Sequence, residues 1–262
     1  MSRTRIAIRL ASLNLPFKKA LLTAAKLGAG AVEIDARAEM RPADLTDTGV
    51  RQFRKMLDDL NLRVSSIRFQ TRRGYDVVDD LDRRVEATKQ VLRMAYQLGT
   101  DVVINQIGRV PSDPQSEDWR HLRSVLDDIN RYGAHIGAFL APETGTESGE
   151  DLARLLDANE ESFTPVAYNP GNLIINRFSA TDALKALAPR IGIVSARDGV
   201  QDLAAGRGIE VPLGQGLADF HEILGHLENY HFQGWLVVQR HDCSDPLGEI
   251  RDAVSYLKNL SG

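Results

Sequence analysis

Short apolar runs alternate with longer amphipathic segments from one end of this chain to the other, eight times over. No other feature restricts the fold as tightly. The strand-like runs are 5–11 (RIAIRLA), 31–35 (AVEID), 63–69 (RVSSIRF), 101–105 (DVVIN), 136–143 (IGAFLAPE), 165–169 (PVAYN), 190–198 (RIGIVSARD) and 234–239 (GWLVVQ). Helical spacing follows each, over 17–28, 47–61, within 80–99, 116–133, 148–158, 180–188, 217–231 and 246–260. In the fourth of these, Trp119, Leu122, Leu126, Ile129 and Tyr132 recur on one face. Ser116 stands at its start as an N-cap, with acids in the first turn where the helix dipole favours them. Ser148 and Asp151 open the next helix in the manner of a capping box, and Gly28 and Gly99 close two others.

Such alternation predicts a parallel sheet with helices packed outside it. Eight units with no linker favour a closed (β/α)8 TIM barrel, α/β in class, over an open sheet. A chain of 262 residues suits one such barrel, so residues 1–262 are expected to form a single domain. The glycine-rich stretch GRGIEVPLGQG (206–216) reads as a loop covering the barrel mouth.

Charge and cysteine usage narrow the function classes. A net charge of -4 argues against nucleic acid as a partner, since its binders carry basic domains or patches. The opening MSRTRIAIRL lacks the apolar stretch of a signal peptide, and no run of about 18 apolar residues exists to span a membrane. The lone Cys243 cannot form an internal disulfide, which suits a reducing compartment. A cytoplasmic protein is expected.

In a TIM barrel the chemistry sits at the carboxyl ends of the strands. The polar residues there, strand by strand, are Arg9 and Asn14, Glu33 and Asp35, Arg68 and Gln70, Asn105 and Gln106, Glu143, Asn169 and Asn172, Ser195 and Arg197, and Gln239 and His241. Side chains alternate along a strand, so Gln239 and His241 share a face, as do Ser195 and Arg197, while Arg240 points away. Guanidinium groups at positions 9, 68, 197 and 240 suit a phosphate or carboxylate on a ligand; otherwise they serve salt bridges. Glu33 and Asp198 read as structural acids. His121, His221, His226 and His231 fall on helices or their ends without metal-ligand spacing. No dinucleotide or P-loop fingerprint occurs.

Five segments follow one another in an informative order: APETG (141–145), NPGNLI (169–174), IVSARDG (193–199), VPLGQG (211–216) and GWLVVQR (234–240). In order and spacing they resemble the xylose isomerase-like TIM barrels. These are sugar isomerases and epimerases that include hydroxypyruvate isomerase, the ketose 3-epimerases and inosose dehydratase, with endonuclease IV more distant. The resemblance implies a divalent cation such as Mn, Mg, Co or Zn, held by Glu, Asp, His and Glu after strands 5, 6, 7 and 8. Glu143 matches the first ligand. Asn169, Ser195 and Gln239 replace the other three.

A hard dication needs anionic oxygens and imidazole nitrogen. One carboxylate, two amides and a hydroxyl make a poor substitute, so no metal and no other cofactor is expected. The related isomerases pair their first and last glutamates as acid and base, and Gln239 cannot take up a proton. The expectation is therefore a metal-free protein that binds a small sugar-like or polyol ligand, anionic if the arginines meet it. Asn169, Ser195, Arg197, Gln239, His241 and Arg68 would line its site. The alternative is an active isomerase or epimerase with a rebuilt site using Glu143 as catalytic base. The resemblance also implies dimers or tetramers. DNA repair of the endonuclease IV kind would need a site rich in His, Asp and Glu, against six histidines here, four of them assigned to helices.

Overall fold

The computed structural model describes residues 4–158, 163–202, 208–241 and 243–260. Its strands are β1 (Ile6–Arg9), β2 (Ala31–Asp35), β3 (Arg63–Arg68), β4 (Val102–Asn105), β5 (Phe139–Pro142), β6 (Val166–Tyr168), β7 (Ile191–Ala196), β8 (Asp198–Val200), β9 (Ile209–Val211) and β10 (Leu236–Val238). Eight of them form one parallel sheet in the order β5-β4-β3-β2-β1-β10-β7-β6. A single parallel bridge, Glu143 to Ala167, joins its two ends and closes the barrel.

The helices are α1 (Phe17–Lys26), α2 (Asp47–Asp59), α3 (Leu81–Leu98), α4 (Glu117–Ile136), α5 (Gly149–Asp157), α6 (Pro170–Ile175), α7 (Ala180–Leu187), α8 (Phe220–Asn229) and α9 (Pro246–Leu260). The caps behave as the sequence suggests. Ser116 accepts from the Trp119 N–H at 3.2 Å and Ser148 from the Asp151 N–H at 3.1 Å. Each satisfies an N–H that has no partner within its own helix.

Two elements differ from the sequence reading. The stretch after β7 is more than a loop: Asp198–Val200 and Ile209–Val211 pair as an antiparallel ribbon above the mouth. Three-residue strands among glycines carry too little periodicity to announce themselves. Helix α6 is also unanticipated, because Pro170 and Gly171 look like turn residues. Pro is well placed in the first helical turn, where a missing N–H costs nothing.

Two apolar layers explain why the strands are so uniformly hydrophobic. Side chains such as Ile6, Ile8, Val32, Ile34, Leu140, Val194 and Val238 pack outward against the helices. Inside the barrel, Ala7, Ala31, Ile104, Ala141, Ala167, Ile193 and Val237 form a second cluster. Four alanines keep that interior narrow. Two positions further along most strands the inward residue becomes polar: Ala7 leads to Arg9, Ala31 to Glu33, Ala141 to Glu143, Ala167 to Asn169, Ile193 to Ser195 and Val237 to Gln239. The period of two thus places one polar ring above a small apolar floor.

Candidate functional site at the barrel mouth

Glu143 lies at the centre of this ring. It is 4% exposed, and both its oxygens are taken. Arg68 grips it with a fork: Nη1 donates to Oε2 at 2.8 Å and Nη2 to Oε1 at 2.9 Å. The Asn169 amide donates to Oε1 at 3.0 Å, and so does the Ser195 hydroxyl. Burial pushes the Glu143 carboxyl up, but the Arg68 charge and the Arg68 and Asn169 hydrogen bonds outweigh it and hold it near 2.

Arg68 is itself 3% exposed. It is the last residue of β3, in register with Asp35 and two residues beyond Ser66, the partner of Glu33. Its Nε donates to Glu33 Oε1 at 2.6 Å. Glu33 is fully buried and also accepts from the Ser66 hydroxyl at 3.1 Å. Burial pulls the guanidinium pKa down, yet Glu143 and Glu33 together hold it above its ordinary value.

Asn169 divides its amide between two tasks. Its Oδ1 caps α6 by accepting from the Asn172 N–H at 2.9 Å, while Nδ2 faces Glu143. An aspartate could perform the first task but not the second, because an ionised carboxylate only accepts.

The rim is looser. Gln239, 4% exposed, accepts a long hydrogen bond of 3.4 Å from Arg9 Nη1, and its Nε2 has no partner among the described residues. Arg9 stands 3.7 Å from Glu33 and 3.9 Å from Asp35, and donates to His241 Nε2 at 2.8 Å. His241 is exposed, not buried in the pocket. Arg197 donates to Asn172 Oδ1 and, at 2.9 Å, to Glu210 on β9. Arg240 meets Glu249 at 2.6 Å and Glu210 at 3.4 Å. Glu210 thus ties the ribbon to β7 and β10. Burial raises its carboxyl, but hydrogen bonds from His241 and Arg197 and their charges hold it near 2.

The structure therefore brings Glu143, Arg68, Asn169 and Ser195 together in one buried cluster, with Gln239 beside Arg9 above them. Arg197 and His241 belong to the rim. Glu33, Arg9 and Glu210 complete the network. Glu33 is a structural acid in the sense that it anchors Arg68. Asp198 anchors the loop: its carboxylate accepts from the N–H groups of Gly199, Gly214, Gly216 and Ala218. Glu210 carries no sequence signal beyond its place in the glycine-rich stretch.

A divalent cation does not fit this donor set. Glu143 has no oxygen free of hydrogen bonds, and the groups facing it are a guanidinium, an amide N–H and a hydroxyl. Among the described residues no group of three or more His, Cys, Asp or Glu could hold a metal ion.

Known proteins share this architecture. Inosose dehydratase of Bacillus thuringiensis (strain Al Hakam) is 22% identical over 217 residues, covering 71% of this chain and 72% of that protein. The solved xylose isomerase domain protein of Planctomyces limnophilus superposes with a TM-score of 0.83 at 22% identity, covering 99% of this chain and 97% of that one. A xylose isomerase-like TIM barrel protein of Mycobacterium smegmatis, solved in complex with magnesium, gives 0.74 at 17% identity, covering 98% and 96%. The sequence profile of the xylose isomerase-like TIM barrel matches residues 21–260. With its eight-stranded barrel and a match over nearly the whole length, the chain belongs to the xylose isomerase-like TIM barrel family.

Proposed function

We propose that this sugar isomerase- and epimerase-like protein is a metal-independent binder of a small, uncharged, polyol-like ligand. One observation carries the reading: both oxygens of the Glu143 carboxylate are engaged by Arg68, and Asn169 and Ser195 add two more donors to Oε1. A carboxylate so held is a poor metal ligand, because a cation would have to compete with the Arg68 guanidinium, and a poor proton acceptor near neutral pH. The alternative, an active isomerase using Glu143 as base, asks for a proton acceptor whose pKa lies near the working pH, and Glu143 sits near 2.

Two features support the ligand class. Arg9, Arg68, Arg197 and Arg240 each already stand beside a carboxylate, so the charges of these four are compensated within the protein. Among the described residues, Gln239 Nε2, Arg9 Nε and Arg197 Nε at the mouth are buried donors without a hydrogen-bond partner. They suit the lone pairs of hydroxyl or carbonyl oxygens.

The test combines elemental analysis of purified protein with a thermal-shift and calorimetric screen of polyols, ketoses and keto acids. The expected result is no stoichiometric metal and a saturable polyol whose affinity falls when Gln239 is changed to Leu. One tightly held Mn, Co or Zn per chain would overturn the reading. So would turnover of any screened ketose that disappears in Glu143→Gln.

A further inference from the structure

By resemblance, positions 143, 169, 195 and 239 are where relatives surround a cation with acceptors. In this chain three of them are occupied by neutral side chains that can donate a hydrogen bond. At Asn169 and Gln239 an amide that carries a hydrogen-bond donor stands where the resemblance implies an acceptor-only carboxylate, and at Ser195 a hydroxyl that can donate stands where it implies a ligating imidazole nitrogen. Two of those donors point at one atom, Glu143 Oε1, each from 3.0 Å. The positive charge comes from a strand outside that set: Arg68 on β3, whose terminal nitrogens lie 2.8 and 2.9 Å from the two Glu143 oxygens. The fork geometry matches a carboxylate edge-on, which a point charge does not require.

We propose that the site is inverted: it is a carboxylate-binding nest whose resident anion is Glu143 and whose cation is the Arg68 guanidinium, and it excludes a divalent metal for that reason. This rests on the metal-free reading of the mouth but is independent of which ligand the mouth takes. An ordinary buried ion pair needs only two partners. Here a neutral amide and a neutral hydroxyl converge on the same oxygen from β6 and β7, as in a pocket built to receive a carboxylate. Cutting the side chain back to its Cβ leaves that pocket, and the donors that line it, for a free carboxylate of matching size. The remaining nearby charges then balance, Arg9 and Arg68 against Glu33 and Asp35.

The experiment is chemical rescue. The melting temperature of Glu143→Ala is followed against sodium formate, sodium chloride and manganese chloride, with wild type and the double variant Arg68→Met/Glu143→Ala alongside. A carboxylate bound only by the folded chain raises the melting temperature with concentration. Formate at tens of millimolar is expected to raise that of Glu143→Ala by several degrees, while chloride at equal ionic strength and manganese leave it unchanged. Wild type and the double variant are expected not to respond. Rescue by manganese instead of formate, equal rescue by chloride, or equal rescue of the double variant would each overturn the inversion.

If Glu143→Ala does not fold, a second arm decides. The triple variant Asn169→Asp/Ser195→His/Gln239→Glu keeps Arg68 and restores the relatives' ligands. It is expected to bind no manganese while Arg68 remains; one manganese per chain would overturn the proposal. A failure to find a polyol ligand leaves both arms untouched, so the two readings fail separately.

Discussion

Glu143 and Glu147 stand four residues apart after the same strand, and both are buried, 4% and 5% exposed. Their carboxyls behave in opposite ways. Glu143 meets a guanidinium, an amide and a hydroxyl and is held near 2. Glu147 faces a cleft of about 650 Å³ at the rim of α5, with the Thr146 hydroxyl as its hydrogen-bond partner. Burial, with Asp151 nearby adding to it against the Thr146 bond, pushes Glu147 up to about 7. Burial alone disfavours the charged form in both cases. What separates them is the supply of donors: Glu143 has Arg68, Asn169 and Ser195, and Glu147 has the Thr146 hydroxyl.

Removing the donor with the charge tests this most severely. Arg68→Met removes the guanidinium that hydrogen-bonds both Glu33 and Glu143, with only Arg9 left nearby, and the expected loss is about 3–5 kcal/mol in chemical denaturation at pH 7. It also makes Glu143 resemble Glu147, its carboxyl pKa climbing toward neutrality in NMR titration. A loss under about 1 kcal/mol would mean the pair adds little beyond its own desolvation.

Acid comes next. The Glu143 pKa is lower folded than unfolded, so its stabilisation is complete above about 4.5 and disappears as pH falls through about 2. That window holds on the order of 3 kcal/mol. Glu143→Gln should flatten the stability–pH slope there, and an unchanged slope would contradict the assignment. Glu147 carries the opposite sign. Its folded pKa is raised from 4.5 to about 7, so it costs stability as pH rises through that range. Glu147→Gln should therefore stabilise the protein at pH 8 by on the order of 1–3 kcal/mol and have little effect at pH 4.

The smallest effect belongs to the rim. Gln239 Nε2 lacks a partner among the described residues, so Gln239→Leu should change stability by less than about 1 kcal/mol while weakening polyol binding. A large stability loss would mean that the rim amide belongs to the inner network after all.

Much of this was legible in the sequence. Period-two alternation and capped amphipathic helices are local signals, and they gave the eight units and most of their limits. The segments around Glu143, Asn169, Ser195 and Gln239 pointed to the mouth, and to a poor set of metal ligands. The role of Arg68 was not legible. It is one of four arginines near strand ends, and its partner lies 75 residues away in the chain. Nothing local distinguishes it from Arg240, which pairs with Glu249 nine residues on. The convergence of Asn169 and Ser195 on a single oxygen is equally non-local. It depends on how far each strand rises before its polar residue appears.

The closing bridge between β5 and β6 carries one last consequence. A barrel has no free edges only while its first and last hydrogen-bonded neighbours stay joined. Here that seam is one bridge at Glu143 and a backbone bond from Thr144 to Ala167 at 3.1 Å. Side chains reinforce it: the Thr144 hydroxyl accepts from the Asn169 N–H at 2.8 Å, and the Glu143 carboxylate reaches Asn169 and Ser195. The carboxylate is therefore also a clasp. Amide hydrogen exchange at Thr144 and Asn169 reports how often the seam opens, and loss of the Glu143 charge should speed exchange there before it does so elsewhere in the sheet.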